Sequence, residues 1–248
     1  MSKKEHTITI DGRQITVERD TLLIEACRKL NIHIPTLCYN ENVHPYGVCR
    51  ICMVEVQDGR RTRLVPSCVY DIRKDGLVVT TDSERIRENR KWIIRLLLAR
   101  CEHEEVIQKL AAKYGVEPNE RLTRKGDDCI LCGTCVRACH EVVGVGAISF
   151  EGRGEKREVT SPWRLENSIC IACGTCASVC PTGCIQMTEE DGVRTISRWH
   201  GEKRMIVRRA KMLTCEKCGN YYLPESVPEV FEKKMGIDPG VFICPNCR

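Results

Sequence analysis

Aromatic side chains are scarce in this sequence of 248 residues, at only 5% of the total. No apolar run approaches the roughly 18 residues of a membrane-spanning helix, because the best stretch, residues 92–99, is interrupted by Arg95. The opening residues lack the apolar segment of a secretory leader. We therefore expect a soluble, cytoplasmic protein without a membrane span, held together by more than a large apolar core.

Nucleotide-binding and hydrolytic signatures are also missing. A dinucleotide site commonly requires Gly-x-Gly-x-x-Gly between a strand and a helix, and the pairs Gly144-x-Gly146 and Gly152-x-Gly154 stop short of that pattern. No P-loop, serine elbow or zinc-protease motif occurs. We assign no catalytic residue, and we expect chemistry on a substrate to take place in another subunit.

Cysteine, by contrast, is abundant, with nineteen residues, sixteen of which fall into four groups of four. In a reducing compartment thiols bind metals more often than they form disulfides. The formal charge of +5 counts each thiol as neutral, and four tetrathiolate sites would bring it to roughly −3. The apparent basicity therefore gives little support to nucleic-acid binding.

The first group lies in a pattern typical of a β-grasp ferredoxin. Residues 5–18 alternate around an Asp-Gly turn, which predicts a hairpin. Asp20 is expected to cap a helix that ends before Pro35, with further strands at 52–56 and 77–80. The spacing Cys-x10-Cys-x2-Cys-x15-Cys behind this pattern favours a [2Fe-2S] cluster over four unrelated core cysteines. Its expected ligands are Cys38, Cys49, Cys52 and Cys68.

The second and third groups form an internal repeat of Cys-x2-Cys-x2-Cys-x3-Cys. In bacterial two-cluster ferredoxins the fourth cysteine of each run ligates the other cluster. On that pattern one [4Fe-4S] cluster takes Cys129, Cys132, Cys135 and Cys180. The other takes Cys139, Cys170, Cys173 and Cys176. Zinc has no use for the third cysteine of each run, so we expect iron clusters here.

The fourth group consists of two Cys-x2-Cys knuckles, which suit a tetrahedral ion. We favour zinc, with an iron site or a further cluster as the alternative, and the ligands are Cys215, Cys218, Cys244 and Cys247. The knuckles could be a structural clip or a docking module for a partner. Cys27 is expected to be a small core residue, and neither Cys101 nor Cys184 receives a ligand role.

Two features resemble a known family: the wide first gap, Cys38-x10-Cys49, and the segment from Cys129 to Gly154. Over about residues 5–190 the chain is similar to the amino-terminal part of the large iron–sulfur subunit of respiratory complex I. That family includes small diaphorase subunits of NAD-reducing or electron-bifurcating hydrogenases and transhydrogenases, and the head of NAD-dependent formate dehydrogenases. Its usual His-Cys cluster is missing. Here Cys101 and His103 are expected to be ordinary residues of one helix over 83–114 that carries Arg90 outside its apolar side.

The predicted fold class is α+β, in four parts. These are a β-grasp [2Fe-2S] domain (1–82), a helical linker (83–125), a two-cluster [4Fe-4S] domain (126–195) and a zinc-ribbon-like knuckle module (196–248).

The resemblance implies electron relay between a flavin- and NAD(P)-binding partner and a second redox subunit (hydrogenase, transhydrogenase flavoprotein or formate dehydrogenase) or ferredoxin. The alternatives are an iron–sulfur subunit of a formate dehydrogenase and a free-standing polyferredoxin carrier. A redox-sensing nucleic-acid reader built on the six Lys or Arg residues within 198–211 is disfavoured, since charge runs are commonly solvated.

Overall fold

The computed structural model describes residues 5–122, 128–200, 203–236 and 243–247. The chain divides into two compact units, Met1–Gly126 and Asp127–Arg248. Each unit is described by itself below. In the described residues no helix combines the length and apolar character needed to cross a lipid bilayer.

The described strands of the first unit are β1 Glu5–Ile10, β2 Arg13–Glu18, β3 Met53–Asp58, β4 Arg61–Pro66 and β5 Val78–Thr80. They form one mixed sheet in the order β2-β1-β5-β3-β4. Asp11 and Gly12 join β1 to β2, and both have the positive φ that a two-residue hairpin turn requires. The predicted hairpin is confirmed. Strand β4, which pairs along its whole length with β3, was not predicted.

Helix α1, Leu23–Lys29, packs its apolar side into the core of this sheet. Asp20 does not cap it, contrary to expectation, because Leu22 occupies the cap position with no side-chain bond. Asp20 instead has a positive φ and accepts a 2.7 Å hydrogen bond from the Arg73 guanidinium. The helix consequently begins two residues later than a cap at Asp20 implies.

The predicted single helix over 83–114 is wrong, because the segment forms α2, Glu84–Arg100, and α3, Glu105–Tyr114. Ser83 caps α2 by accepting from the Ile86 N–H at 3.2 Å. The chain leaves helical geometry at Cys101. The next acidic residues favour a new helix start, where the helix dipole attracts negative charge. Cys101 is therefore a buried cap residue and His103 an exposed turn residue, so neither is an ordinary helix residue.

The described strands of the second unit begin with a small hairpin of β6 Ser149–Glu151 and β7 Glu158–Thr160. The strands that follow are β8 Ile185–Glu190, β9 Val193–His200, β10 Lys203–Thr214 and β11 Tyr221–Pro224. These four form an antiparallel sheet in the order β11-β10-β9-β8. The predicted boundary between residues 195 and 196 falls inside β9. It is corrected because β8, which comes after the last cysteine repeat, and β10, which leads into the terminal knuckle, both pair with β9.

Two four-residue helices, α4 Thr134–Arg137 and α5 Thr175–Ser178, occupy equivalent places in the two cysteine repeats. The last α-helix of the described residues is α6, Ser226–Met235. The Ser226 hydroxyl donates to the Ile171 carbonyl at 3.0 Å. This bond fixes the start of α6 to the loop that carries the second repeat.

Candidate iron–sulfur and metal centres

The first cysteine quartet is gathered in the interior of the first unit. Cys38, Cys49, Cys52 and Cys68 all lie at most 8% exposed. The Cys52 and Cys68 sulfurs are 3.4 Å apart, and Cys38 lies within hydrogen-bonding reach of Cys49 and Cys68. The Cys52 carbonyl accepts from both the N–H and the hydroxyl of Ser67, which holds the two cysteine loops together. The structure thus brings all four expected ligands to one buried place.

The surroundings of these thiols favour thiolate over thiol at two of the four positions. Hydrogen bonds from Cys49 and Cys68 hold the pKa of Cys38 far below its ordinary value. A bond from Cys68 lowers the pKa of Cys52 to about 7. The pKa values of Cys49 and Cys68 are raised because these thiols donate hydrogen bonds to the Cys38 and Cys52 thiolates and because both thiols are buried. Such a mutually polarised set is suited to a cationic iron core, which replaces the shared protons.

In each repeat of the second unit, residues in the left-handed backbone conformation alternate with residues in ordinary conformations. This alternation turns the cysteine side chains toward one centre. Leu131 and Gly133 have positive φ in the first repeat, and Ala172 and Gly174 have positive φ in the second. A left-handed conformation costs a non-glycine residue roughly 1–2 kcal/mol. Leu131 and Ala172 accept that strain in loops that point successive sulfurs inward. The same strain at equivalent places indicates one loop design used twice.

Hydrogen-bond donors surround the sulfurs of both repeats. Thr134 donates to Cys132 and Thr175 lies against Cys173, at 3.4 and 3.3 Å between oxygen and sulfur. Backbone N–H groups also reach sulfur, at 3.4 Å for Leu131 to Cys129 and 3.3 Å for Ala147 to Cys139. Donors to sulfur stabilise negative charge on a thiolate-bound centre and raise its reduction potential.

The fourth cysteine of each run lies beside the other run. Charge on Cys180 contributes to the raised pKa values of Cys132 and Cys135, after burial, which is the larger cause. In the same way Cys139 contributes, behind burial, to the raised pKa values of Cys170 and Cys176. The structure therefore places Cys180 near Cys132 and Cys135, and it places Cys139 near Cys170 and Cys176, while Cys135 also lies near Cys176.

Cys184 lies closer to these groups than the sequence suggested. Its thiol is 3% exposed and within hydrogen-bonding reach of the sulfurs of both Cys129 and Cys180. The cysteine spacing places it near a cluster but gives no reason to expect contact with the ligand sulfurs. Because β8 begins at Ile185, the chain turns inward after the Cys-Pro turn, and Cys184 becomes a fifth sulfur at that site.

The four sulfurs of the terminal quartet lie closer together than the ligand sulfurs of an iron–sulfur cluster need to be. Sulfurs of Cys215, Cys218, Cys244 and Cys247 all lie within 4.8 Å of one another, and Cys218 and Cys244 are 3.7 Å apart. Four sulfurs at 2.3 Å from one tetrahedral zinc ion would be about 3.8 Å apart. The Cys244 N–H donates to the Cys215 sulfur at 3.3 Å and, with other backbone donors, lowers the pKa of Cys215 to about 6. The thiols therefore fit a single soft divalent ion.

Arg90 is a second residue whose role the sequence did not reveal. It is 4% exposed and donates to the carbonyl oxygens of Met53 at 2.9 Å and Thr81 at 3.3 Å. It also reaches the Tyr114 hydroxyl at 3.3 Å. A helical stripe of Ile86, Arg90, Ile94 and Leu97, spaced by three or four residues, was the available signal. The expectation that Arg90 lies outside the apolar side of this helix is therefore wrong.

Comparison with known proteins matches two domain families. Residues 3–84 match a 2Fe-2S iron-sulfur cluster binding domain, and residues 128–184 match a 4Fe-4S dicluster domain. The NADPH-Fe(3+) oxidoreductase subunit alpha of Geobacter sulfurreducens is 34% identical, over 72% of this chain and 24% of its own length. The NADP-reducing hydrogenase subunit HndD of Solidesulfovibrio fructosivorans is 32% identical, over 72% of this chain and 35% of its own. This chain is an iron–sulfur protein related to these subunits.

The resemblance inferred from the cysteine spacing is confirmed by further relatives. The mitochondrial NADH-ubiquinone oxidoreductase 78 kDa subunit of Candida albicans is 27% identical over 73% of this chain and 28% of its own length. A solved NAD+-reducing [NiFe]-hydrogenase chain has a TM-score of 0.53 and 28% identity, covering 63% of this iron–sulfur protein and 74% of that chain. The protein spans between a quarter and about a third of the length of these curated relatives.

Proposed function

We propose that this iron–sulfur protein is the electron-relay subunit of a multi-subunit NAD(P)H-linked oxidoreductase of the electron-bifurcating hydrogenase or transhydrogenase type. The observation that carries the proposal is the match of residues 3–84 and 128–184 to 2Fe-2S and 4Fe-4S domains, in which the expected ligand thiols lie close to one another. Relatives in this class are named as subunits of NADPH-, NADP- and NADH-linked enzymes. The chain's own contribution is to hold the clusters, bury them and place donors against their sulfurs.

The proposed ligand sets are those predicted from the spacing. Cys38, Cys49, Cys52 and Cys68 would hold a [2Fe-2S] cluster, and the two exchanged quartets would each hold a [4Fe-4S] cluster. When bound, such clusters accept and release single electrons. This use of thiols as metal ligands belongs with a reducing, cytoplasmic setting. Cys173 is exposed whereas Cys132 and Cys135 are buried, so the Cys170 quartet would be the more accessible of the two to a partner.

Anaerobic purification of the tagged full-length chain from its native cells tests this function. We expect a flavin- and NAD(P)-binding protein and a second redox protein or ferredoxin to co-purify in fixed stoichiometry, and NAD(P)H to reduce the clusters only in that assembly. The chain alone should reduce no acceptor with NAD(P)H. Specific NAD(P)H oxidation by the isolated chain, or clusters that remain oxidised in the assembly, would contradict the proposal. Recovery without partners would favour the free carrier.

We further propose that the terminal quartet holds zinc in a zinc-ribbon-like knuckle module. The compact spacing of its sulfurs supports one ion, and the pairing of β10 with β11 forms the ribbon from which the first knuckle projects. The Lys217 ammonium donates to the Cys247 carbonyl at 3.0 Å, which joins the two knuckles. In this arrangement the metal would hold the knuckle of Cys244 and Cys247 against the sheet of the second unit.

Replacing Cys244 with serine is expected to remove about one zinc ion per chain and to leave the cluster iron unchanged. The reason is that a buried knuckle sulfur, 4% exposed, is lost from a four-sulfur site that shares no ligand with the clusters. Metal analysis of the anaerobically purified chain is the measurement, with Cys27→Ser as the matched control in the first unit. Loss of iron in place of zinc would show an iron site instead.

A further inference from the structure

Cys184 occupies a position for which the chain supplies its own comparison. It lies four residues after Cys180, the exchanged cysteine of the second run. It lies in the turn Gly183-Cys184-Ile185, and the corresponding turn after the first run is Gly146-Ala147-Ile148, in which the glycine likewise has positive φ. Ala147 lines an apolar cavity bordered by Cys139, Cys170, Cys176 and Val207. Equivalent places in the repeat therefore present a thiol to one quartet and a methyl group to the other.

The backbone holds Cys184 in place. Its carbonyl accepts from the Trp199 N–H at 2.9 Å, and the next residue, Ile185, pairs with Arg198 across the sheet. Cys184 and Ile185 are each 3% exposed. The side chain consequently has no path to solvent, and the polar groups within its reach are the sulfurs of Cys129 and Cys180.

A cubane cluster takes one thiolate for each of its four irons, and Cys129, Cys132, Cys135 and Cys180 satisfy that number. A fifth sulfur at the site is therefore left with its proton. A buried S–H beside two thiolates is a hydrogen-bond donor, although a weak one in neutral pairs. Bonds to charged acceptors are roughly twice as strong as neutral ones.

We propose that Cys184 is a positioning residue that donates an S–H···S hydrogen bond to the Cys129 or Cys180 sulfur and thereby raises the reduction potential of that [4Fe-4S] cluster above the potential of its neighbour. The proposal rests on the ligand sets proposed above. Reduction adds negative charge to the cluster and its thiolates, so a donor at sulfur stabilises the reduced state more than the oxidised one. Since the Ala147 side chain has no donor, the second cluster lacks this contribution. The two four-iron centres would then be unequal, which gives electrons a direction between them.

The test is a redox titration of the anaerobically purified full-length chain, monitored by electron paramagnetic resonance. Cys184→Ala and Cys184→Val should keep the wild-type iron and sulfide content. Both should lower the midpoint of one four-iron cluster, so that at a fixed solution potential its reduced-to-oxidised ratio falls about tenfold, which is 59 mV for one electron. Cys184→Ser retains a donor and should restore most of the ratio. Val143→Ala, which changes an apolar residue beside the other quartet, should leave that midpoint unchanged.

Three results would overturn the proposal. Loss of about four irons in Cys184→Ala would make Cys184 a ligand, and an unchanged midpoint in both apolar variants would make it a packing residue. A serine variant that behaves like alanine would show that the donor has no role. Wild-type chain that lacks two four-iron signals would instead contradict the proposed function, so the two failures are distinguishable.

Discussion

Replacing Cys139 with alanine should remove about four of the roughly ten cluster irons. The cluster lost should be the one whose other three proposed ligands belong to the second run. Cys139 lies in the first run, but its sulfur neighbours are Cys170 and Cys176 of the second. Three thiolates hold three corners of a cube, and a missing fourth leaves one iron open to solvent and oxidation. The cluster of Cys129, Cys132 and Cys135 should stay loaded, because Cys180 completes it.

Iron and acid-labile sulfide analysis, with electron paramagnetic resonance of the reduced chain, measures this result. Cys27→Ala is the matched control, since Cys27 is a fully buried thiol of the first unit whose pKa burial raises to about 12. That variant should keep all of its iron. The exchange is wrong if Cys139→Ala destroys the cluster of Cys129 and spares that of Cys170. Double loss would mean that neither half of the second unit folds without the other.

The candidate sites were predictable from sequence because ligand identity and spacing are local facts. A Cys-x2-Cys-x2-Cys loop can be read from residues 129–135 alone, and an Asp-Gly turn from residues 11–12. The break between α2 and α3 depends on four residues, Cys101 to Glu104, whose polar pattern does not interrupt helical periodicity. The inward position of Cys184 depends on a sheet formed with residues 193–214. Such non-local pairing has no signature in any short window of sequence.

The buried position of Arg90 was also not predictable from a short window of sequence, because hydrophobic periodicity places charged residues on the solvent side of a helix. Its buried position is decided by two carbonyls of other segments, those of Met53 and Thr81. Met53 directly follows Cys52, a proposed cluster ligand, and Thr81 is itself held by a 2.9 Å bond from its N–H to Asp11. Arg90 therefore fastens α2 to the strand that leads out of the [2Fe-2S] quartet and to the end of β5.

Arg90→Ala should lower the free energy of unfolding of the first unit by about 3–5 kcal/mol. Removing a charged donor leaves two carbonyls without this partner, at about 1–3 kcal/mol each, and truncating a buried side chain adds a cavity cost. Arg87 provides the matched control on the same helix. Its exposed pair with Asp82 leaves both side chains 55% exposed, so Arg87→Ala should cost less than about 1 kcal/mol.

The measurement is the urea concentration at which the visible absorption of the [2Fe-2S] cluster is lost, compared among the wild type and the variants under anaerobic conditions. Arg90→Lys should fall between wild type and alanine, because one ammonium keeps the charge but cannot reproduce the forked contacts to Met53, Thr81 and Tyr114. Since the Met53 carbonyl lies next to Cys52, cluster loss should come before loss of helical circular dichroism in Arg90→Ala. An Arg90→Ala midpoint equal to that of Arg87→Ala would show that the buried guanidinium contributes no more than a surface ion pair, and α2 would then be held by its apolar residues alone.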